Sequence, residues 1–150
     1  MFKKILVPTD ASEYSRRALK TALDLARTFR AEVELLFVTY IPEAYWSYST
    51  AASLLVPPEQ IEQGGELALE ATLEGMDVTG VPFTKKKMQG HPASIIIDEA
   101  VKENIDLIIM GSHGYGPIAG TVLGSVSQRV LQRAECPVMI VKLEEASKGC

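Results

Sequence analysis

Cysteine is scarce in this chain of 150 residues, which contains only Cys136 and Cys150. The two cysteines form no CxxC pair and have no histidine at zinc-ligand spacing, so a disulfide scaffold and a zinc finger are both disfavoured. Long apolar runs are also missing, since none approaches the roughly 20 residues of a membrane span. The apolar run before Pro8 is only three residues long, at positions 5–7, which is too short for a signal peptide. We therefore expect a cytoplasmic protein without a membrane partner.

An excess of positive charge is absent as well. The chain has 15 basic and 19 acidic residues, for a formal net charge of -4. No global positive field would attract a nucleic acid, so none is expected as a partner. Hydrophobic residues make up 47% and charged residues 23%, which is typical of globular proteins. The length predicts a single domain over residues 1–150, with a frayed tail after about residue 143.

Short apolar runs alternate with helical periodicity along the chain. Continuous runs predict buried strands of a parallel sheet at Ile5–Val7, Leu35–Val38, Leu107–Met110 and Val138–Val141. A weaker strand at Val81–Met88 carries three lysines, which suits a solvated sheet edge. Apolar residues at three- and four-residue spacing predict helices over residues 12–29, 57–76, 91–103 and 120–134. Gly64 and Gly65 should weaken the second helix. The alternation predicts a doubly wound α/β fold with helices on both faces of the sheet.

One connection is longer than the few residues that are usual between such elements. It runs from Tyr40 to Pro58 and contains Tyr45, Trp46 and Tyr48. We interpret it as a functional loop or a partner surface, with its aromatic residues used for packing or an interface rather than for ligand stacking. Its specific role is left open by the sequence, as is that of Cys150.

Ligand chemistry in an open parallel sheet belongs at the carboxyl ends of the strands. Two segments follow strands there: Pro8–Asp10 and the glycine-containing segment Gly111–Gly114. Glycines allow positive φ and close approach of backbone amides, and the helix opening near Gly124 favours a phosphate. The chain has no GxxxxGK[ST] string, its GxGxxG spacing fails, and no aspartate ends the third predicted strand. A P-loop NTPase, a dinucleotide fingerprint and a phosphoacceptor receiver are therefore disfavoured.

The glycine spacing does match another pattern. Gly111, Gly114 and Gly124, followed by Ser125, fit G-x2-G-x9-G-[ST]. With the segments Lys4–Asp10, Asp106–Met110 and Cys136–Val138, this pattern resembles the ATP-binding universal stress proteins over nearly the whole chain. The resemblance implies an adenine nucleotide alpha hydrolase-like fold, with a five-stranded parallel sheet in the order 3-2-1-4-5. The first and fourth strands would then lie side by side.

The same resemblance implies a nucleotide site. The adenine base and the adjoining part of the ligand would be surrounded by Pro8, Thr9, Asp10 and Val38, and main-chain groups of Val38 would form hydrogen bonds with the edge of the base. The residues implied at the ribose and phosphates are Gly111, His113 and Gly114, and those at the phosphate tail are Gly124, Ser125, Val126 and Ser127. Met110 is implied as a further nucleotide-binding residue. The implied ligand is ATP, or ADP or AMP, with Mg²⁺ or Mn²⁺, and Asp10 is a candidate to hold that ion through water.

Simpler structural roles stand beside these binding roles. Asp10 and Ser12 are both suited to cap the first helix. His113 has the sequence context of a loop histidine, and the glycines would serve equally to shape a tight loop. No residue beside the glycine pattern stands out as a general base, so we expect at most a weak ATPase and assign no catalytic residue.

Three functions are compatible with the sequence. The first is a nucleotide-responsive regulatory protein of the stress response, which would present an altered surface to a protein partner when ATP binds. The alternatives are a slow ATPase or phosphoryl-transfer enzyme and a nucleotide-independent dimeric scaffold. Val138–Val141 would be an edge strand without protective charge, so we expect it to pair antiparallel with a second copy in a homodimer.

Overall fold

The computed structural model describes residues 2–40, 58–114 and 123–143. Five strands and four helices alternate along these residues. In chain order they are β1 (Lys4–Thr9), α1 (Glu13–Phe29), β2 (Glu32–Tyr40), α2 (Pro58–Leu73), β3 (Phe83–Gly90), α3 (Pro92–Lys102), β4 (Leu107–Gly111), α4 (Ser125–Arg133) and β5 (Val138–Val141). The aromatic part of the long connection, Cys150 and the predicted frayed tail lie outside the described residues.

All neighbouring strands are parallel, and their order is β3-β2-β1-β4-β5. The doubly wound α/β fold and the strand order 3-2-1-4-5 are therefore confirmed. The chain leaves β1 toward β2 on one side and later returns to β4 on the other, so the strand order reverses between β1 and β4. This reversal opens a crevice at their carboxyl ends, where parallel sheets bind ligands.

Side chains of the central strands alternate between two cores. Ile5 and Val7 of β1 pack with apolar residues of α1 and α2 on one face of the sheet. Leu6, between them, points to the other face and packs with residues of α3 and α4. Because both faces are covered, the central strands need a continuous apolar sequence rather than an alternating one.

Helix α1 illustrates how local sequence sets an element. The Ser12 side chain accepts a hydrogen bond from the Ser15 backbone N–H, which caps the first turn. The helix buries one stripe of residues at helical spacing, namely Ala18, Leu19, Ala22, Leu23 and Ala26. It ends at Arg30, whose φ of 57° is left-handed and whose N–H bonds to the Ala26 carbonyl.

Several element boundaries differ from the predictions. The strands β1 and β2 extend beyond their apolar centres, and β3 begins at Phe83 and continues to Gly90. Helix α2 ends at Leu73 rather than near residue 76, and the described part of α4 begins at Ser125. Helix α2 continues through its glycine pair, because Gly65 is a packing position: an added Cβ there would lie 3.0 Å from Cδ of Lys87.

Strand β3 is an edge strand, as its lysines predicted. The solvated interpretation is incomplete for Lys86 and Lys87, which are 31% and 27% exposed and also pair with carboxylates. The Lys86 ammonium binds Glu99 of α3 and Glu103, the C-cap of that helix, and the Lys87 ammonium binds Glu62 and Glu66 on α2. The edge strand is thus attached to a helix on each face of the sheet. No helix within the described ranges is long and apolar enough to cross a bilayer.

Candidate functional site

A cavity of about 660 Å³ opens at the carboxyl ends of β1 and β4. Its volume is in the range of small-molecule and cofactor sites. All twelve residues expected at the nucleotide line this cavity: Pro8, Thr9, Asp10, Val38, Met110, Gly111, His113, Gly114, Gly124, Ser125, Val126 and Ser127. The sheet thus gathers in one place residues that are up to 119 positions apart, from Pro8 to Ser127.

Asp10 lies in the turn between β1 and α1 and does take part in capping. Its Oδ1 accepts hydrogen bonds from the Ser12 backbone N–H at 2.9 Å and from the Ser15 hydroxyl at 2.7 Å. Ala11, the next residue, has a φ of 66°. Both interpretations of Asp10 are therefore compatible: one carboxylate oxygen stabilises the start of α1, while the residue also lines the cavity.

The hydroxyl of Thr9 makes its hydrogen bonds within the protein. The Thr9 hydroxyl lies 2.8 Å from the Thr72 hydroxyl of α2 and accepts the Ala11 N–H at 2.9 Å. Thr9 is 8% exposed. Its side chain thus holds α2 and the turn after β1, so Thr9 shapes the cavity wall.

The glycines at and after the end of β4 lie in close contact with α1 and with the Asp10 carboxylate. A Cβ at Gly111 would lie 2.6 Å from Cβ of Tyr14, and a Cβ at Gly114 would lie 2.2 Å from Oδ2 of Asp10. Neither glycine has a positive φ, and Gly124 has a φ of -69°. Positive φ was offered as one reason for these glycines, and that reason is wrong. The space at Gly111 is closed by the backbone of α1, whereas close approach of backbone amides to an anion, the other reason, stays a prediction.

The first turn of α4 presents backbone donors at the opposite wall. Gly124 is the N-cap, its own N–H bonds to the Ser112 carbonyl at 2.7 Å, and it offers no side-chain cap. The N–H groups of the first helical residues have no acceptor within a helix. These groups and the positive end of the helix dipole suit an anion.

Ser127 differs from its expected role. Its hydroxyl donates to the Gly111 carbonyl at 2.8 Å, and the residue is 4% exposed. The hydroxyl hydrogen therefore ties the start of α4 to the end of β4 rather than pointing at a ligand. Its backbone N–H remains in the first turn of α4, where it can still donate.

His113 lies between these two walls. Its ring is 5.5 Å from the ring of Tyr14, at an interplanar angle of 60°, and its Nδ1 lies 3.2 Å from the Ser112 hydroxyl. These contacts orient the imidazole at the cavity edge. Contact of His113 with the ribose and phosphates, which the resemblance implies, stays a prediction.

Six lining residues were missed: Ser15, Leu36, Pro92, Ile96, Leu123 and Gln128. Leu36 lies two residues before Val38, so strand alternation puts both side chains on one face and could have identified it. Pro92 and Ile96 lie at the start of α3, which follows the carboxyl end of β3 and so begins at the same end of the sheet as the cavity. Ser15 lies three residues after the N-cap Ser12. Finding these residues from the sequence would have required combining the strand order with the periodicity of the strands and helices.

The charge of the cavity is unusual for an anion site. Among the described lining residues Asp10 is acidic, and there is neither Lys nor Arg. The described residues also contain no group of three or more His, Cys, Asp or Glu side chains that could hold a metal ion. A bound phosphate would therefore rely on backbone amides and on a cation brought with the ligand.

A family model matches this chain over residues 1–142, and it describes the universal stress protein family. A universal stress protein of Methanocaldococcus jannaschii, MJ0531, is 34% identical over 142 residues, which covers 95% of this chain and 83% of the relative. The solved structure of hypothetical protein MJ0577 is similar with a TM-score of 0.82 and 30% identity, covering 97% of this chain and 99% of that one.

Two further structures share the fold and carry adenine nucleotides. One is a universal stress protein in complex with cAMP, with a TM-score of 0.66, 22% identity and coverage of 95% of this chain and 98% of that chain. The other is a family member from Arabidopsis thaliana with AMP bound, with a TM-score of 0.62, 21% identity and coverage of 99% and 95%. At these identities the likeness is one of fold.

Proposed function

The chain belongs to the universal stress protein family, and from this premise we propose that it is a nucleotide-responsive regulatory protein that binds ATP in the cavity between β1 and β4. The observation that carries the proposal is the convergence of all twelve expected residues on that cavity. The adenine nucleotides held by the cAMP-bound and AMP-bound relatives of the same fold support it.

The two ends of the cavity suit the two ends of the ligand. Leu36, Val38 and Met110 supply apolar walls for a base. The pairing of β1 with β2 ends at Thr9 and Phe37. Val38, the next residue of β2, therefore has no partner on β1 and lines the cavity. At the other end, the N–H groups of Ser125 and Val126 lie in the first turn of α4, where a phosphate is favoured. A triphosphate would reach more of these N–H groups than a monophosphate.

A divalent cation fits this arrangement as part of the ligand. The described lining residues supply no basic side chain against the charge of a triphosphate. Mg²⁺ is commonly held by one or two carboxylates together with substrate phosphates and water. Asp10, with Oδ2 against Gly114, is the carboxylate placed to contribute, directly or through water. The cation would neutralise phosphate charge and thereby strengthen binding.

We expect purified protein to release ATP or ADP on denaturation, and we expect titration calorimetry to show tighter binding of ATP with Mg²⁺ than of AMP. Gly124→Tyr should weaken ATP binding by about 10- to 100-fold, because the added ring meets the loop at Ser112 and His113 and blocks amide contacts to phosphate. Mass spectrometry of the released molecules and the titration check this prediction.

Gly64→Tyr is the matched control, because a Cβ at Gly64 meets nothing within 4 Å and the residue lies in α2. It should bind ATP as the unmodified chain does. Failure of the unmodified protein to bind any adenine nucleotide in the titration would refute the proposal.

We also propose that the protein forms a homodimer through β5. This strand is at the edge of the sheet, its sequence carries no charge, and Met139 is 36% exposed. An uncharged edge strand is a template for pairing with a second copy. The protein partner and the cytoplasmic location stay predictions.

Met139→Lys should convert the dimer to a monomer, because it puts a charge at the centre of the pairing surface. Light scattering should give twice the mass of the chain for the unmodified protein and the single-chain mass for the variant. Leu67→Lys is the control, since Leu67 is an exposed apolar residue of α2, far from β5 in the fold. A monomeric unmodified protein, or a dimeric Met139→Lys protein, would contradict the proposed interface.

A further inference from the structure

A second cavity, of about 600 Å³, adjoins the first. Four of its lining residues, Ser125 and Val126 among them, also line the first cavity. The boundary between the two cavities is therefore the first turn of α4. A phosphate held by the amides of this turn would lie at the boundary, and a ligand that continued beyond the phosphate would enter the second cavity.

The second cavity differs from the first in its chemistry. Its unshared walls are formed by Tyr40, His91, Arg129 and Gln132, and its described lining residues include no Asp or Glu. Arg129 thus supplies a cation next to the phosphate end, which the described walls of the first cavity do not. The Arg129 guanidinium Nη1 lies 3.5 Å from Nε2 of His91.

The far wall of this cavity is aromatic. The rings of Tyr40 and His91 lie edge to face, with centroids 5.9 Å apart and an interplanar angle of 79°. Tyr40 is 56% exposed although it ends a strand. Since the His91 ring meets the Tyr40 ring nearly at a right angle, the two rings form a corner against which a planar base can stack.

We propose that the two cavities together bind a dinucleoside polyphosphate. This inference rests on the proposed function, because the first adenosine and its phosphates would occupy the cavity between β1 and β4. The polyphosphate chain then passes the first turn of α4 and Arg129, and the second base stacks on Tyr40. Arginine suits a phosphate chain because its guanidinium offers several donors in one plane. The second base stacks without sequence-specific hydrogen bonds, so several bases are acceptable there.

The test compares ATP with diadenosine tetraphosphate by titration calorimetry of the whole chain, both with Mg²⁺. We expect diadenosine tetraphosphate to bind about tenfold more tightly than ATP, because stacking of one additional base is worth about that factor. Arg129→Met and Tyr40→Leu should each remove most of this advantage. The affinity for ATP should change by less than about twofold in Tyr40→Leu, whose side chain does not line the first cavity. Arg129→Met should weaken ATP less than it weakens diadenosine tetraphosphate, because Arg129 lies beside the phosphate end and outside the first cavity.

Arg133→Met is the matched control for charge, since Arg133 lies in the last turn of α4 and does not line either cavity. It should keep the full advantage of the longer ligand. Equal affinity for ATP and diadenosine tetraphosphate would overturn the inference and leave the proposed function standing, as would equal losses for both ligands in Arg129→Met. Absence of binding for both ligands would overturn the proposed function and this inference together. Thermal unfolding checks that every variant is folded.

Discussion

Replacing Gly111 by alanine is expected to destabilise the protein by about 2–3 kcal/mol, because the methyl group has no room. Its Cβ would lie 2.6 Å from Cβ of Tyr14 and 2.9 Å from the Tyr14 backbone carbon. The second contact is with the backbone of α1, which cannot rotate away as a side chain could. Either α1 or the end of β4 must therefore shift.

The shift would act on both walls of the cavity. Helix α1 begins where Ser12 and Asp10 form the cap, and the Gly111 carbonyl accepts the Ser127 hydroxyl that ties α4 to β4. The expected result is a lower urea midpoint with an unchanged slope, measured without nucleotide so that binding does not contribute.

Two alanine variants serve as controls for Gly111→Ala. Gly64→Ala should be neutral or more stable by up to about 1 kcal/mol, since its Cβ meets nothing within 4 Å and alanine favours a helix. Gly124→Ala should cost less than about 1 kcal/mol, since its nearest contact is an ordinary 3.4 Å to Cα of His113 and only the preference for glycine over alanine at an N-cap is lost. A Gly111→Ala protein as stable as these two would show that α1 does not press on β4 as described.

The sheet could be anticipated from the sequence because its centre is covered on both faces. Leu107–Met110, predicted as a strand, is fully buried within β4. The ends of strands were missed because an apolar run marks only the covered part, whereas main-chain pairing continues through polar residues. Thus Lys4 pairs with Glu32, and Tyr40 pairs with Gly90, at positions that no hydrophobic pattern identifies.

The candidate site could be anticipated because its residues follow strands whose order was inferred from the family resemblance. The contacts of individual side chains could not. The hydroxyls of Thr9 and Ser127 bind other parts of the protein, and this depends on how closely α2 and α4 approach the sheet. Likewise, three charged residues on separate elements, Glu34, Lys86 and Glu99, are brought together where α3 crosses β2 and β3.

This charged cluster is partly buried and has more carboxyl groups than ammonium groups. Lys86 Nζ lies 2.5 Å from Oε1 of Glu99, 3.1 Å from Oε1 of Glu103 and 3.7 Å from Oε2 of Glu34. Glu99 is 2% exposed and Glu34 is 9% exposed. One ammonium faces three carboxyl groups, with Lys4 approaching from β1, where its Nζ donates to the Glu103 carbonyl. Such a cluster favours a proton on one of the carboxyl groups.

Glu34 is the carboxyl group whose surroundings most favour this proton. Burial, a hydrogen bond to Glu99 and repulsion by the Glu99 carboxylate raise the pKa of Glu34 to about 7. As a carboxylate, Glu34 leaves its buried Oε1 without a hydrogen-bond partner, whereas a protonated Glu34 would donate to Glu99. Burial acts to raise the pKa of Glu99, but the hydrogen bonds from Glu34 and Lys86 prevail and lower it. Hydrogen bonding to Glu99 raises the pKa of Lys86.

Lys86→Met is accordingly expected to destabilise the protein by about 2–3 kcal/mol at pH 8, since it leaves Glu99 buried without its cation. This value lies below that for a fully buried pair because the Lys86 side chain is 31% exposed. Lys85→Met, the neighbouring exposed position, should change stability by no more than about 0.5 kcal/mol. Urea unfolding of both variants at one pH makes the comparison.

The pH dependence of Lys86→Met separates lost charge pairing from lost packing. In the unmodified protein, the raised pKa of Glu34 contributes stability that is full below its ordinary value of 4.5 and is lost as pH rises through about 7. Without the ammonium, protonation of the remaining carboxyl groups relieves more repulsion, so the cost of Lys86→Met should be smaller at pH 5 than at pH 8. A cost that is equal at pH 5 and pH 8 would assign the effect to packing of the lysine stem, because burial of methylene groups does not titrate.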